Sequence, residues 1–460
     1  YDFILNSLGW WQEVIRTATF KWGAALADQT KLTAAVDTDA ALLGLGYFTG
    51  LRYAAIIAAG SFFSWFVCIP IVYYLAPEHI MQIGGHAVPL GEAPIRKVFL
   101  DYVRHIGIGM LAMAGIIGLI TMSKVVANVV KNAVLDIFSS KTVDVNLLRT
   151  QRDVPTSWIG AGILLCTVLF AAYFHFMYAE SFGQTIVAFL IVLIMSFLLS
   201  VVGISSIAYT GTEPVSGMTI FMIIISAVCL TAAGMTGKVG MIAVLMMASF
   251  IGTTIGMAGN FMSELKVAHM TGATPKKMEQ WQIVGTTVGV MILLNDAYGF
   301  VGDHALNAPQ ANAMAAIIEP MMTGGSAQWP LYMAGALFAI ILWMVRVPPL
   351  AFALGTYLPM EINTPLLIGG LIAYLVQNST KDKELADLRF SKGSTIASGL
   401  VAGGAIGSLF SAVLRIAGVD VFAQAWVETP EATYLSIVMY LLLCTFLYKV
   451  AMYIKAKHAK

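Results

Sequence analysis

The residues able to do chemistry in this chain are the few polar ones that interrupt long apolar stretches. One such interruption, the segment 210–219, groups hydroxyl side chains around Glu213 and Pro214. Glycine and proline break helices, so a half-helix starting near Ser216 would direct its positive end at an anionic ligand. Glu213 could carry a proton, because a partly desolvated carboxylate ionises less readily. A tight turn with Glu213 in water is the alternative.

A second set of polar residues lies in and after the apolar stretch that ends near residue 302. Asn295 and Asp296 interrupt this stretch, and an ionisable residue inside a membrane helix is a functional candidate by default. Asp296 could instead be the structural partner of a buried helix end. Gln310 and Asn312 offer both hydrogen-bond donors and acceptors, which suits the amide groups of a peptide.

The third set surrounds the segment 355–365, which is interrupted by Pro359. We predict a broken or re-entrant helix here, because irregular backbone at membrane depth persists only where protein or a water-filled cavity covers it. The three sets together predict one ligand cavity. Its predicted ligand-binding residues are Tyr209, Thr212, Ser216, Asn295, Gln310 and Tyr357, and its candidate proton-binding residues are Glu213, Asp296 and Glu361.

Composition places the elements that carry these residues in a membrane. Of the 460 residues, 58% are hydrophobic and 11% are charged, whereas a soluble domain carries about 25% charged residues. This excludes a water-soluble globule and a disordered chain, and long apolar runs favour helices over a β-barrel. The net charge of +1 gives no sign of a nucleic-acid partner. We therefore predict an all-α polytopic membrane protein.

The sequence contains no pattern typical of a metal site or an enzyme. Cys68, Cys166, Cys229 and Cys444 each lie in an apolar stretch, where a small buried side chain is the expected role. Cys/His ligand spacing, HExxH, a Ser/His pair and nucleotide motifs do not occur. We predict no enzyme activity, no metal site and no cofactor, with an intramembrane enzyme as the alternative of another class.

Many apolar stretches are long enough to cross a bilayer, which takes about 20 residues. The predicted spans are 46–76, 103–131, 157–178, 182–209, 215–235, 237–259, 281–302, 328–345, 362–378, 394–417 and 432–455. Of two shorter pieces, 306–322 is predicted to be a short span, and 348–359, which prolines interrupt, a re-entrant segment or a half-helix. Lys and Arg residues concentrate in three loops and the C-terminal tail, so the positive-inside rule places the C-terminus in the cytoplasm.

The predicted organisation has four parts. Residues 1–45 form an interfacial amphipathic segment, because charged residues and tryptophans interrupt them. Residues 46–131 hold the remaining helices of a first half, and 132–156 form a cytoplasmic linker. Residues 157–460 form a second half, which contains the ligand cavity.

A weak internal repeat predicts that the two halves have inverted topology. Gly46 and Gly60 recur as Gly355 and Gly369, each pair with the same spacing and with Leu before its first glycine. By the charge rule the first copy starts inside and the second outside, which is the architecture of many secondary transporters. A chance match between two Gly-rich helices is the alternative.

The repeat also relates two charged residues. Arg52 occupies the position in the first copy that Glu361 occupies in the second. These opposite charges could pair across a pseudo-two-fold axis, and an Arg52 side chain that reaches the membrane surface is an equally compatible interpretation.

A set of short motifs resembles, in order along the chain, the oligopeptide transporter family, which includes the yellow-stripe-like metal-chelate transporters. The motifs are Leu43–Tyr47 with Gly50–Arg52, Asp153–Pro155 with Trp158, Gly211–Thr219, Thr271–Lys277, Ala308–Ala311, and Gly355–Pro359 with Gly369–Gly370. Family members are longer at the N-terminus, so we expect this chain to lack N-terminal helices. The family often has asparagine where this chain has Glu213, which weakens the case for that carboxylate.

The resemblance implies a symporter of the cytoplasmic (inner) membrane that imports short peptides or peptide-like molecules and is driven by the proton gradient. Metal complexes of small amino-acid-type chelators or siderophores are the alternative substrates, and a passive channel is a rival that would not accumulate solute. The short loops are typical of prokaryotic members. Gly399, Gly403 and Gly407 have the spacing for close helix contact, within the chain or in a homodimer.

Overall fold

The computed structural model consists of helices, with two small antiparallel strand pairs. It describes residues 1–75, 77–83, 86–138, 154, 156–210, 215–294, 318–319, 322, 329–416, 422–427 and 429–453. The predominance of apolar helices confirms the prediction of an all-α polytopic membrane protein.

The helices follow the apolar stretches of the sequence. They are α1 (Lys21–Thr30), α2 (Ala40–Phe62), α3 (Ile69–Leu75), α4 (Ile95–Val98), α5 (Arg104–Phe138), α6 (Thr156–Met177), α7 (Phe182–Thr210), α8 (Val215–Ala232), α9 (Gly237–Thr271), α10 (Pro275–Leu294), α11 (Trp329–Met344), α12 (Pro349–Tyr357), α13 (Met360–Gln377), α14 (Lys383–Ile416), α15 (Gln424–Val427) and α16 (Pro430–Met452). The strands are β1 (Val14–Arg16) with β2 (Ala35–Asp37), and β3 (Ile80–Ile83) with β4 (His86–Pro89). Short π-helical turns, Phe63–Cys68 and Phe99–Val103, join α2 to α3 and α4 to α5.

Seven helical stretches in the described part of the chain are long and apolar enough to cross a membrane. They are Ala40–Leu75, Ile95–Gly118, Trp158–Met177, Phe182–Val201, Gly237–Met262, Met360–Gln377 and Pro430–Met452. The predicted half-helix at 348–359 is the short helix α12, while the short span predicted at 306–322 lies almost wholly outside the described residues. The chain is a multi-pass membrane protein.

Helix packing divides the described residues into two compact units. The first contains Tyr1–Gly107 and Leu331–Lys460, and the second contains Ile108–Leu294. These units group helices by contact, whereas the predicted boundaries at 46–131, 132–156 and 157–460 describe repeats and a linker. The units defined by contact therefore do not test the boundaries predicted from the repeat, which stay a prediction.

The second unit is built around α7, α8 and α9, which pack against one another. Small and unbranched side chains such as Ala188, Met222 and Met247 are fully buried between these helices, where they permit close contact. An open groove of about 660 Å³ runs beside α9, between Phe170 of α6 and Gln282 of α10. Its lining is mainly apolar.

The first 39 residues belong to the first unit and pack against its helices. β1 pairs with β2, and β2 lies against α13, where the Thr364 hydroxyl donates to the Ala35 carbonyl at 3.0 Å. Trp11 is buried, whereas Trp10 and Trp22 are exposed. The location of this segment at the membrane interface stays a prediction.

The core of the first unit is the crossing of α2 with α12 and α13, and the first of its two close contacts involves Gly46 and Gly369. A Cβ atom added to Gly46 would collide with the backbone of Leu366. One added to Gly369 would collide with the carbonyl of Leu43. Each glycine thus faces the residue three positions before the other, so the contact is reciprocal.

The second close contact repeats this pattern further along the antiparallel pair. A Cβ atom on Gly60 would collide with the carbonyl of Phe352, and one on Gly355 would collide with the carbonyl of Ile57. In the predicted repeat, the first glycine of each copy therefore contacts the second glycine of the other copy. A local two-fold axis between inverted copies produces this arrangement, so the geometry supports the inverted repeat.

Both helices of the crossing are broken at equivalent positions of the repeat. Gly50 interrupts α2 with φ 72° and ψ 160°, a conformation that glycine adopts without steric cost. Between α12 and α13, Leu358 and Pro359 both have an extended ψ of 146°. Pro359 stands in the second copy where Gly50 stands in the first. Two discontinuous helices thus cross with their interruptions in corresponding places.

The glycine contacts generate a stability prediction. Gly355→Ala should lower the free energy of unfolding by about 1–3 kcal/mol, because the added methyl group collides with a backbone carbonyl that cannot rotate away. Thermal unfolding of the purified protein in detergent measures the loss. Gly399→Ala is the matched control, since its Cβ would have open space and alanine favours a helix by about 0.5–1 kcal/mol. Equal stability of the two variants would contradict the proposed contact.

Candidate functional site

Most of the predicted site residues fall where the structure gives no side-chain description. Thr212, Glu213, Asn295, Asp296 and Gln310 lie outside the described residues. Their predicted roles stay predictions.

Two further predicted residues can be placed only by helix. Tyr209 lies in the last turn of α7 and Ser216 in the first turn of α8, so the two helices end and begin around the predicted interruption at 211–214. Their roles in ligand binding also stay predictions.

Tyr357 and Glu361 are described, and they flank the break between α12 and α13. Tyr357 is the last residue of α12 and is fully buried. Glu361 lies in the first turn of α13 and is 7% exposed. The structure therefore brings these two predicted residues to one interruption of the helix, with their side chains contacting different charged partners.

The partner of Tyr357 is Arg104, a residue that we did not predict. Arg104 begins α5 directly after a π-helical turn, and only 4% of it is exposed. Its Nη2 donates to the Tyr357 hydroxyl at 3.2 Å, and its guanidinium carbon lies 4.8 Å from the ring centroid. A buried arginine within a membrane-spanning stretch is costly and is typical of a functional site. Stacking on a tyrosine face offsets part of that cost.

The partner of Glu361 is Arg16, at the end of β1. Arg16 Nη2 lies 3.8 Å from Glu361 Oε1, and the two side chains are 45% and 10% exposed. Arg52, which the repeat relates to Glu361, is exposed. Within the described residues Arg16 is the ion-pair partner of Glu361, so the pairing of Arg52 with Glu361 that we considered was wrong. The repeat relates backbone positions, whereas β1 approaches only one of the two copies.

Polar side chains join the helices at the Gly60–Gly355 contact. Asn363 Nδ2 donates to Ser61 Oγ at 2.6 Å, and Ser61 Oγ donates to the Gly355 carbonyl at 2.8 Å. Ser64 Oγ adds a bond to the Thr356 carbonyl at 3.1 Å. Breaking a helix frees carbonyl groups that must be satisfied when buried. These side chains supply the donors on this side of the break.

Among the described residues, the equivalent place in the other copy has no such hydrogen bonds. Gly370 and Ala54 take the repeat positions of Ser61 and Asn363, and a Cβ on Gly370 would lie 2.9 Å from that of Ala54. Next to them, a Cβ on Gly50 would meet nothing within 4 Å. The crossing is therefore symmetric in backbone and asymmetric in polarity, with its polar, charged side at the α12–α13 break.

The N-terminal segment contains four carboxylates at or near the strand pair and the start of α2. They are Asp2, Glu13, Asp37 and Asp39. Asp2 and Asp39 act as caps of α2, since their Oδ1 atoms accept from the N–H groups of Ala40 at 2.9 Å and Ala41 at 2.6 Å. Both roles are structural.

Asp37 differs from the two capping carboxylates. It is 7% exposed, and its described hydrogen bond is a local one from the Asp39 N–H at 2.9 Å. Burial, and next the negative charge of Glu13, raise the pKa of Asp37 to about 8. The charges of Asp39 and Glu361 act in the same direction. A carboxyl group in this setting retains its proton near neutral pH.

Asp2 shows a smaller effect of the same kind. Burial, with the charge of Asp39, raises the pKa of Asp2 to about 6. The N-terminal segment thus collects buried acids whose charges interact.

Sequence reasoning missed Arg104, Asn363 and Asp37. Arg104 falls at the start of the predicted span 103–131, and it was counted only among the cations that set the orientation of the chain. Asn363 follows the predicted break and could have been selected as an amide next to freed carbonyls. The signal for Asp37 was the alternation in Asp37-Thr38-Asp39 just before an apolar helix, which we interpreted as interfacial. Within the described residues, no group of three or more Cys, His, Asp or Glu side chains could hold a metal ion.

Comparison with known proteins completes this description. The family model described as OPT oligopeptide transporter protein matches residues 1–415. A curated relative, named "Putative oligopeptide transporter", of Haemophilus influenzae is 24% identical over 432 residues, which cover 82% of this chain and 66% of that relative. The chain thus spans just under two thirds of the relative's length. The match over nearly the whole chain confirms the resemblance carried by the motifs, and the chain belongs to the OPT oligopeptide transporter family.

Proposed function

We propose that this chain imports short oligopeptides across the cytoplasmic membrane as a proton-coupled symporter, with its C-terminus in the cytoplasm. Membership of the family and the name of the Haemophilus influenzae relative support peptides as the substrate class. The Lys and Arg bias of the loops supports the orientation. Transport by this protein needs no enzyme chemistry and no cofactor, because the proton gradient supplies the free energy.

The observation that carries this proposal is the crossing of two broken helices with opposite charges beside one break. Secondary transporters bind their ligands where discontinuous helices of inverted repeats meet. Here the α12–α13 break has the Arg104 guanidinium on Tyr357 and the Glu361 carboxylate two residues past Pro359. A zwitterionic peptide carries one carboxylate and one ammonium group, so this charge distribution suits it.

Each side of the break has a distinct proposed role. Arg104 would attract the peptide carboxylate, because a guanidinium presents paired donors to a carboxylate. Tyr357 would fix the orientation of Arg104 and offer its hydroxyl to the ligand. Asn363 and Ser61 would keep the freed carbonyls satisfied, so that the break stays open in a non-aqueous setting.

Uptake by proteoliposomes containing the full-length protein tests the proposal. An inward proton gradient is imposed, and accumulation of a labelled tripeptide is compared with that of a labelled iron chelate. We expect the tripeptide to accumulate, and a protonophore to abolish the accumulation. Accumulation of the chelate alone would move the protein to the metal-chelate branch, and downhill equilibration without accumulation would indicate a channel.

The role of Arg104 generates a second prediction. Arg104→Gln should raise KM for a tripeptide by about 30-fold or more, because losing a buried charge partner costs about 2–5 kcal/mol. The native protein should prefer a tripeptide to its C-terminal amide, and the variant should lose this preference. Initial uptake rates over a range of substrate concentrations measure both effects.

Arg96→Gln is the matched control, since Arg96 is an exposed arginine on the neighbouring short helix α4. It should keep the native KM and the native preference for the free carboxylate. A variant at Arg104 that discriminates as the native protein does would remove this residue from the peptide site, whatever its effect on rate.

A further inference from the structure

Buried polar side chains of β2, α13 and α16 form a cluster near the α12–α13 break, where α13 packs against both β2 and α16. Asp37 of β2 is one member, and Glu361 of α13 is another. Tyr440 of α16 is 6% exposed, and its hydroxyl has no hydrogen-bond partner among the described residues. That hydroxyl lies within electrostatic range of Asp37 and Asp39.

A second buried donor, the indole N–H of Trp11, lies in the N-terminal segment. Trp11 is 3% exposed, and its side chain interacts with the Tyr1 hydroxyl. Its ring contacts that of Tyr1, with 5.1 Å between the centroids. Tyr1 in turn interacts with Tyr440. Buried donors without partners are costly, and a bound water is the usual way to satisfy them.

We propose that Asp37 binds the coupling proton of the symporter, with Glu361 and Arg16 as the charges that sense its protonation. This inference rests on the proposed proton symport and names the site of its proton. The proton is taken from water onto an Asp37 carboxylate oxygen, which changes the side chain from −1 to neutral. It returns to water when the carboxylate is restored, and no other bond changes.

The other acids of this region cap a helix, are exposed to solvent or pair with a cation, and Asp37 does none of these among the described residues. Asp2 and Asp39 cap α2 through hydrogen bonds that need ionised or accepting oxygens. Glu13 is exposed, and Glu361 is paired with Arg16. Asp37 is the buried carboxyl with neither a cationic partner nor a capping role among the described residues.

The charges that face Asp37 come from several elements. Glu13 from just before β1, Asp39 from the start of α2 and Glu361 from α13 act on Asp37. Arg16 of β1 is paired with Glu361, and Tyr440, which interacts with Asp37, also interacts with Tyr1 and Cys444. With every carboxylate ionised this region would carry an excess of negative charge, with Arg16 as its described cation. Like charges in a region of low dielectric constant cannot all ionise, so one proton is retained. Burial and these charges raise the pKa of Asp37 to about 8, which suits a proton exchanged near neutral pH.

A physical connection leads from this proton to the helix break. β2 packs along α13, and the Thr364 hydroxyl bonds both the Ala35 carbonyl at 3.0 Å and the Met360 carbonyl at 2.8 Å. Loss of the proton from Asp37 would place a new negative charge near Glu361, in the first turn of α13. Repulsion between the two carboxylates would push that turn away from β2, whereas Arg16 would hold it in place through Glu361. The conformation of the break can therefore depend on whether Asp37 is protonated.

The test compares two transport modes of the full-length Asp37→Asn protein in proteoliposomes. Asparagine imitates the protonated carboxyl and cannot release a proton. We expect the variant to retain peptide exchange between equal concentrations on the two sides. Its accumulation ratio under a proton gradient should fall to about 1, because a carrier that exchanges no proton can only equilibrate its substrate. Asp28→Asn is the matched control, an exposed aspartate on α1 of the same segment.

The outcomes separate this inference from the proposed function. Native accumulation with full accumulation by Asp37→Asn would overturn the assignment of Asp37 and leave the symport intact. Absence of peptide accumulation by the native protein would instead count against the symport itself. Loss of both exchange and accumulation in a folded Asp37→Asn protein would mean a binding role and would also reject the coupling role.

Two further measurements decide the matter if Asp37→Asn fails to fold. Glu361→Gln removes a like charge near Asp37, so the pH at which uptake falls to half should move toward lower pH. An unchanged midpoint would reject the proposal.

In the native protein, Asp37 stabilises the fold fully below about pH 4, and this stabilisation is lost as the pH rises through about 8. The unfolding temperature should therefore fall from pH 5 to 8, and a flat profile would also reject the proposal.

Discussion

The close approach of two helix backbones is the constraint on which the first unit depends. α2 and the α12–α13 pair can cross only because glycine occupies both sides of both contacts, Gly46 with Gly369 and Gly60 with Gly355. Small residues serve this purpose in membranes, where burial of apolar surface gives little drive for helix association and van der Waals contact must supply it. The same contacts hold the broken segments of the two helices at corresponding places.

The interruptions turn this packing into a site. An intact helix satisfies its own backbone groups and offers a ligand nothing at membrane depth. The breaks at Gly50 and at Leu358–Pro359 free such groups. Among the described residues, the second has the buried polar side chains of Ser61, Asn363 and Glu361 beside it, whereas Arg52, next to Gly50, is exposed. The backbone symmetry of the repeat is therefore combined with different side chains in each copy. A symmetric frame with an asymmetric polar lining is well suited to a substrate whose two ends differ in charge.

The α12–α13 break has a positive side chain at one end and a negative one at the other. The first suits the peptide carboxylate, and the second lies near the proposed proton site. Arg104 is held on the Tyr357 ring at one end, and Glu361 is held by Arg16 at the other. The N-terminal segment, through β2, adds the buried Asp37 to the Glu361 side. Under the proposed mechanism, the peptide and the proton both bind near the α12–α13 break. Each can therefore change the conformation of this short stretch of backbone.

The sequence by itself determined the helices, the interruption at Pro359 and the repeat, because these depend on local composition. Apolar runs must become helices in a membrane, and Pro359 interrupts one of them. The break at Gly50 lies inside the predicted span 46–76 and was found only in the structure. The tertiary structure alone decided which distant side chains interact: Arg104 contacts Tyr357, Arg16 pairs with Glu361, and Asp37 lies within electrostatic range of Tyr440. Residue spacing along one helix cannot reveal these pairs, since burial and charge proximity depend on segments far apart in the chain. That is why Glu361 was predicted from its place at a break, while Asp37 was predicted only as part of an interfacial segment.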